Sequence, residues 1–353
     1  MSPPEPAADS PARRRHPIRT ALLVVIGVVV AVVVVVGFTP LLDGRLDSDP
    51  DPAGDYAMAM ERAAGLSAAD GPDVNPECTS RILDHGRRAN RSVVLLHGYT
   101  NCPAQFSVVA DAYFDAGYNV VVARIPQHGM ADRLTTDLSY LTPGALATLA
   151  DESVDIAAGL GERVSVVGLS AGGTLAAWLA AERSDVAEVA LMAPLMVPKV
   201  LPEVTVGPVA RFSKVIPDIY LWWDNSLKES LASPPHAYPR YSVHSLGALL
   251  AVGRDAQRDP VREVPLERMV VVTNENDAAV SNAAVGRLVD RLGQGAQERV
   301  EHVFTEDLGY KHDIIDPEGE NVEDLDAIYG VLGPILGIPG LQEELRESRA
   351  VSS

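Results

Sequence analysis

Six short runs rich in β-branched residues recur between residues 92 and 304, and they constrain the fold more than any other feature of the chain. They lie at 92–96 (SVVLL), 118–123 (YNVVVA), 163–167 (RVSVV), 186–192, 269–273 (MVVVT) and 299–304. Several are apolar without alternation, the pattern of a strand buried on both faces. Between them stand Ala- and Leu-rich stretches of helical length at 144–160, 173–182 and 282–292. This alternation predicts an α/β fold, with a mostly parallel central sheet and helices on both of its faces. Residues 195 to about 262 break the rhythm. They hold many prolines, together with Trp222 and Trp223, and carry no strong strand signal. The stretch is expected to be a partly helical cap inserted over one end of the sheet.

The N-terminus carries a second constraint. Residues 21–38 read ALLVVIGVVVAVVVVVGF, without a charged or polar side chain. As a helix this run would cover roughly 27 Å, close to the hydrocarbon thickness of a bilayer. Arg13, Arg14, Arg15 and Arg19 precede it, whereas Asp43, Asp47, Asp49, Asp51 and Asp55 follow. The positive-inside rule then makes 1–20 a cytoplasmic tip and 21–42 a single transmembrane anchor, with everything beyond it extracytoplasmic. The rival is a cleaved signal peptide that leaves a secreted protein, but no small-x-small site follows Phe38. Residues 43–77, rich in Asp, Pro, Gly and Ala, read as a linker with one short amphipathic helix near 56–64. Residues 78–345 form the main domain and 346–353 a C-terminal tail.

The formal charge is −19, from 29 Lys and Arg against 48 Asp and Glu. Residues 1–42 hold four Arg and two acids, so the remainder carries −21. Such a surface excludes a nucleic-acid partner, which needs basic patches, and disfavours strongly anionic substrates.

Residues 163–179, RVSVVGLSAGGTLAAWL, run from a β-branched strand through Gly168-Leu169-Ser170-Ala171-Gly172 directly into a helix-forming stretch. A Gly-x-Ser-x-Gly elbow there lifts a serine hydroxyl to the C-terminal edge of the sheet, where the Ala171 amide is free to bind an oxyanion. The bland alternative is a tight strand-to-helix turn without chemistry. A serine needs a base and a receptacle for the charge that forms. Upstream, 92–100 (SVVLLHGYT) ends a strand in His97-Gly98; Gly98 lets the chain turn back and aim the Tyr99 amide at the same oxygen. His97 is expected to support this loop rather than to act as base. After the strand at 269–273, Asp277 stands where a carboxylate faces the serine's edge of the sheet, and it also suits the N-cap of the following helix. Of the histidines beyond Asp277, His302 lies inside a predicted strand, which leaves His312 as the candidate base.

These residues resemble the α/β-hydrolase superfamily, within it the monoacylglycerol-lipase-like and bacterial carboxylesterase group. The likeness rests on HGYT (97–100), PQHG (126–129), GLSAGG (168–173), NDAAV (276–280) and KHDII (311–315), and covers about 78–340. It implies a Ser170–His312–Asp277 triad, an oxyanion hole from the Tyr99 and Ala171 amides, and no metal or organic cofactor. It implies a serine hydrolase acting on small-molecule or lipid esters, with Trp222 and Trp223 as candidate acyl-pocket residues or as ordinary packing. A thioesterase, peptidase or acyltransferase with the same triad, or a silent binding module on this scaffold, are the alternatives. The sequence departs from the group at Gln127-His128, at Tyr310-Lys311 before His312, and in its N-terminal anchor.

Cys78 and Cys102 flank the first predicted strand. An external domain permits a disulfide between them, and two buried thiols remain the other reading. Lying 24 residues apart, they form neither a CxxC pair nor a zinc cluster.

Overall fold

The computed structural model describes residues 22–28, 30, 31, 35, 44–231, 234–258 and 260–352. The chain divides into two units, Met1–Asp43 and Gly44–Ser353. In the first, residues 22–28, 30, 31 and 35 are helical. No helix among the described residues is long and apolar enough to cross a membrane. The expected tip at 1–20 and the rest of the expected anchor, 21, 29, 32–34 and 36–42, lie outside the described residues.

The strands of the second unit, in chain order, are β1 (Arg81–Leu83), β2 (Ala89–Leu96), β3 (Asn119–Ala123), β4 (Gly161–Leu169), β5 (Val186–Met192), β6 (Tyr220–Trp222), β7 (Arg240–Ser242), β8 (Arg268–Asn274) and β9 (Glu298–Phe304). Seven of them form the central sheet, in the order β1-β3-β2-β4-β5-β8-β9. All pairs in it are parallel except β1 with β3. The six predicted runs are the six parallel strands, lengthened or trimmed by a few residues. Strand β1 carries no comparable signal because its three residues are only half-buried. In the centre, Val93–Leu96 and Val120–Ala123 are shut off from solvent, as a sheet covered on both faces requires. Because β2, β4, β5, β8 and β9 are parallel, their C-terminal ends share one edge, and Tyr99, Ser170, Ala171, Asp277 and His312 each follow one of those ends.

Helices Pro143–Leu160 and Ala171–Glu182 pack on the sheet. Thr142 caps the first by accepting from the Ala145 amide at 3.1 Å, with Pro143 pre-set in its opening turn. The second is buried almost all round, and Trp178 in its centre is fully enclosed.

The linker expected at 43–77, with one short amphipathic helix near 56–64, does contain that helix, as Tyr56–Ala68, but among the described residues the stretch is docked on the domain. Ala59, Ala63 and Leu66 form the buried stripe of helix Tyr56–Ala68, which lies on helix Pro143–Leu160. Ahead of it, the Asp49 and Asp51 amides donate to the carboxylates of Asp151 (3.1 Å) and Asp155 (3.2 Å), while Leu46 accepts from Trp178 Nε1 at 3.1 Å. Both carboxylates also pair with the fully buried Arg183, at 3.3 and 2.7 Å. The sequence announces the helix but not its docking, because small alanines give a weak hydrophobic signal. The expected 346–353 tail is likewise the end of helix Leu341–Ser352, where Leu345 is buried and Arg346 pairs with Asp326 at 2.9 Å; residue 353 lies outside the described residues.

The insertion is shorter than 195–262. Helix Val243–Ala256 packs on Ala171–Glu182 with Leu249, Leu250 and Val252 buried, so it belongs to the core. The segment before it holds helix Val206–Phe212, a single turn at Leu227–Ser230, and the antiparallel pair of β6 with β7. Three-residue strands are too short for a periodicity signal, which is why the pair is invisible in the sequence. Residues 232, 233 and 259 lie outside the described residues.

Candidate active site

Ser170 occupies the sharp turn between β4 and the helix Ala171–Glu182, with φ 55° and ψ −112°. A non-glycine residue held there stores roughly 1–3 kcal/mol of strain, retained because the surroundings leave no alternative. Its amide donates to the Met192 carbonyl at 2.8 Å, and its carbonyl accepts from the Thr174 and Leu195 amides at 2.9 and 3.0 Å. The flanking glycines are a steric necessity. A Cβ on Gly168 would lie 2.2 Å from the Gly172 backbone, and one on Gly172 only 1.8 Å from the Leu96 carbonyl oxygen. Helix and strand can therefore meet at the elbow only if both positions lack a side chain.

His97 and Gly98 follow the end of β2. His97 is fully buried; its Nε2 accepts from the Ile125 amide at 3.0 Å, so Nδ1 carries the proton and donates to the Gly98 carbonyl at 2.9 Å. Burial, with the neighbouring His128, keeps this imidazole well below its usual pKa and hence neutral. It holds the loop in shape, the role expected for it. The turn back is not made by Gly98, however, but by Thr100, whose φ is 62°. Thr100 is fixed there because its hydroxyl donates to the Tyr99 carbonyl at 2.6 Å and accepts from Trp223 Nε1 at 2.8 Å.

The Tyr99 and Ala171 amides make no hydrogen bond among the described residues. The first N–H groups of a helix have no acceptor within it, so the Ala171 amide stands at a helix N-terminus that favours negative charge. The Tyr99 side chain is buried, with its hydroxyl 2.7 Å from the Ser242 carbonyl and 2.5 Å from Ser245 Oγ at the start of helix Val243–Ala256.

Asp277 follows β8 and is fully buried. Its Oδ1 accepts from the Ala279 and Val280 amides at 2.8 and 2.9 Å, which seats the carboxylate at the start of the next loop. Its Oδ2 lies 2.6 Å from Nδ1 of His312, 35 residues further on. Burial alone would raise the Asp277 pKa, but the His312 bond and charge, with the two amides, hold it below the ordinary carboxylate value. Burial likewise works against protonated His312, and the Asp277 bond and charge outweigh it, raising the imidazole pKa. The His312 side chain remains 22% exposed.

Trp223 stands beside the turn at Thr100, edge-on to Tyr99 with ring centroids 6.0 Å apart and tilted against Tyr241 at 4.4 Å. It is 48% exposed. Trp222, on β6, makes no ring contact among the described residues. Cys78 and Cys102 are joined by a disulfide, with Cα atoms 5.2 Å apart, and the bond ties the chain before β1 to the segment just after Thr100.

Sequence reasoning missed a group of polar residues beneath this edge: the buried Asn101, Gln105, His236 and Asp316, and the half-buried Asp313. Asp316 accepts from Asn101 Nδ2 at 2.9 Å and lies 2.9 Å from His236 Nε2. Burial raises Asp316, but His236 and Asn101 more than offset it and leave its pKa lowered; Asp316 in turn raises His236 against its burial. Asp313, pressed by burial and by the Asp316 charge, is pushed up to about 6. The only sequence signal was the position of Asp313 next to His312.

Comparison with known proteins bears on this architecture. Residues 93–324 match the profile described as "Alpha/beta hydrolase family". A curated relative, the thermostable monoacylglycerol lipase of Bacillus sp. (strain H-257), is 31% identical over 100 residues, which make up 27% of this chain and 36% of the relative; the chain thus aligns with about a third of that protein. Among solved structures, one of the metagenome-derived lipolytic enzymes LipS and LipT superposes with a TM-score of 0.53 at 16% identity, covering 75% of this chain and 99% of that one. The Paleococcus ferrophilus monoacylglycerol lipase does so with a TM-score of 0.52 at 15% identity, covering 75% and 98%. At such identities the structural likeness concerns the fold alone. The profile, by contrast, spans both the elbow at Ser170 and the His312–Asp277 pair, and on that match the chain belongs to the alpha/beta hydrolase family.

Proposed function

We propose that the protein is a serine hydrolase of neutral carboxylic esters, with Ser170 as nucleophile, His312 as general base and Asp277 as its partner. The observation that carries this reading is the 2.6 Å bond from His312 Nδ1 to Asp277 Oδ2 at the sheet edge that also presents Ser170 in its strained elbow. With Nδ1–H committed to Asp277, the Nε2 lone pair of neutral His312 is left to accept a proton. Ser170 Oγ attacks the ester carbonyl as its proton passes to Nε2. The resulting oxyanion is received by the Tyr99 and Ala171 amides. The tetrahedral species then expels the alcohol, which takes the proton from His312, and an acyl-Ser170 remains. Water, deprotonated by His312, attacks this ester and releases the carboxylic acid, returning the proton to Ser170.

The charge of −21 beyond residue 42 supports a neutral substrate, and the curated relative named a monoacylglycerol lipase favours an acyl ester of a small alcohol. The apolar run at 21–38, with arginines before it and aspartates after it, supports attachment to a membrane with the catalytic unit outside the cytoplasm. The Cys78–Cys102 disulfide suits such an oxidising compartment.

A fluorophosphonate probe and a panel of p-nitrophenyl esters of rising chain length test the reading, with thioester and peptide controls. Labelling and ester hydrolysis that both vanish in Ser170→Ala are expected. Ester turnover that persists in that variant would remove Ser170 as nucleophile, and faster turnover of a thioester or peptide than of any ester would reassign the substrate class.

A further inference from the structure

Gln105 is fully buried, 2% exposed, in the single turn Pro103–Phe106 that follows the loop after β2. Its side-chain amide faces two loops at once. Oε1 accepts from the Gly98 amide at 2.7 Å, and Nε2 donates to Asp313 Oδ2 at 2.6 Å. A methyl group on Gly98 would lie 3.4 Å from both amide atoms of Gln105 and 3.7 Å from Ser170 Cβ, so this bridge runs directly alongside the nucleophile. At its far end Asp313 is the covalent neighbour of His312, and its Oδ1 takes the Ile315 and Asp316 amides at 3.3 and 3.2 Å. Asn101 reinforces the same junction by donating to Asp313 at 3.2 Å and to Asp316 at 2.9 Å.

The Gln105–Asp313 bond joins the loop that presents the Tyr99 amide to the loop that presents His312 across 208 positions of the chain. Each is irregular backbone, and neither holds the other by strand pairing. From this geometry we infer that Gln105 is a positioning residue, which clamps the oxyanion loop at Gly98–Tyr99 to the base-bearing loop through Asp313 and so fixes the distance between oxyanion donor and base. The inference rests on the serine-hydrolase reading above. A buried amide bonded at both ends has one orientation, because rotating it would set a donor against the Gly98 N–H and an acceptor against the Asp313 carboxylate. The two bonds thus hold the loops in one register, alongside those of Asn101 to Asp313 and Asp316.

The polarity of the bridge supplies its test. In Gln105→Glu a carboxylate faces that of Asp313; in Asp313→Asn an amide donor faces that of Gln105, unless it turns and opposes the Ile315 and Asp316 amides instead. The double variant Gln105→Glu/Asp313→Asn restores one donor and one acceptor in mirror image: the introduced carboxylate still accepts from Gly98, and the introduced amide donates to that carboxylate, at the same net charge. Kinetics are measured per active site, counted by fluorophosphonate titration, with melting temperatures recorded for every variant. Each single substitution is expected to lower kcat by about 10- to 100-fold, as misplacement of reacting groups by a fraction of an ångström does. KM should change by less than about twofold, since substrate binding is untouched. The double variant should recover at least half of that loss on a logarithmic scale. A double variant as slow as the product of the two singles would overturn the clamp, and so would losses that follow the melting temperature alone. Full activity in Ser170→Ala would instead refute the underlying hydrolase reading, whatever the Gln105 variants do.

Discussion

Asp277→Asn is a perturbation whose outcome the structure fixes in detail. The new amide has two orientations. With its oxygen toward the Ala279 and Val280 amides, both bonds to Oδ1 at 2.8 and 2.9 Å are kept and the NH2 group faces His312 Nδ1, now 2.6 Å from a carboxylate oxygen. The reverse orientation opposes NH2 to two N–H donors in a fully buried site, a penalty of about 1–3 kcal/mol for each unmade bond. The first orientation therefore prevails, and it forces His312 to accept at Nδ1. Its single proton then sits on Nε2, aimed at the substrate side, where a lone pair is required. A base in the wrong tautomer costs about 10⁴-fold in kcat, or about 5 kcal/mol of transition-state stabilisation. The substitution is isosteric, so thermal unfolding followed by circular dichroism should move far less than kcat measured on a p-nitrophenyl ester. A folded Asp277→Asn protein that keeps more than a tenth of the parental kcat would refute this reasoning, for it would mean that the hydrogen bond does not set the tautomer.

Further outcomes follow from the same geometry. Because Asp277 raises the His312 pKa, the acidic limb of kcat/KM should have its midpoint above the 6.5 of a free imidazole, with activity rising as pH climbs through it; a midpoint below 6.5 would contradict that pairing. The sign for stability is opposite. A raised histidine pKa stabilises the fold fully below the unfolded value near 6.5, and this contribution fades as pH rises through the folded pKa, which urea midpoints across that window would register. Replacing both Cys78 and Cys102 by alanine opens a loop spanning 24 positions and should lower unfolding free energy by about 3 kcal/mol, as read from urea melts; a change under about 0.5 kcal/mol would show that the bond does not constrain the unfolded chain. Gly172→Ala, whose Cβ would sit 1.8 Å from the Leu96 carbonyl oxygen, should give insoluble or probe-unreactive protein, and normal fluorophosphonate labelling would disprove the packing of the elbow.

Much of the domain is legible in the order of its residues. The six β-branched runs are the six parallel strands, and the Gly-x-Ser-x-Gly segment is a strand-to-helix elbow, since side-chain period and turn chemistry are encoded within a few neighbouring residues. Asp277 and His312 could be chosen because a parallel sheet sends the ends of its strands to one edge, so position after a strand stands in for position in space. Pattern fails where the signal is weak or short. It places the short helix near 56–64 but misses its docking onto the domain, and it misses the three-residue strands of the insertion.

Fold class and the chain order of the candidate nucleophile, acid and base are written in local pattern. Their surroundings exist only in the folded chain. The turn at Thr100 rather than Gly98, the Trp223 bond to that turn, and the bridge from Gly98 through Gln105 to Asp313 all depend on the folded chain. A hydrogen bond across 208 positions leaves no trace in composition or periodicity; it exists only once the sheet has brought its two ends together and burial has made each unpaired group costly.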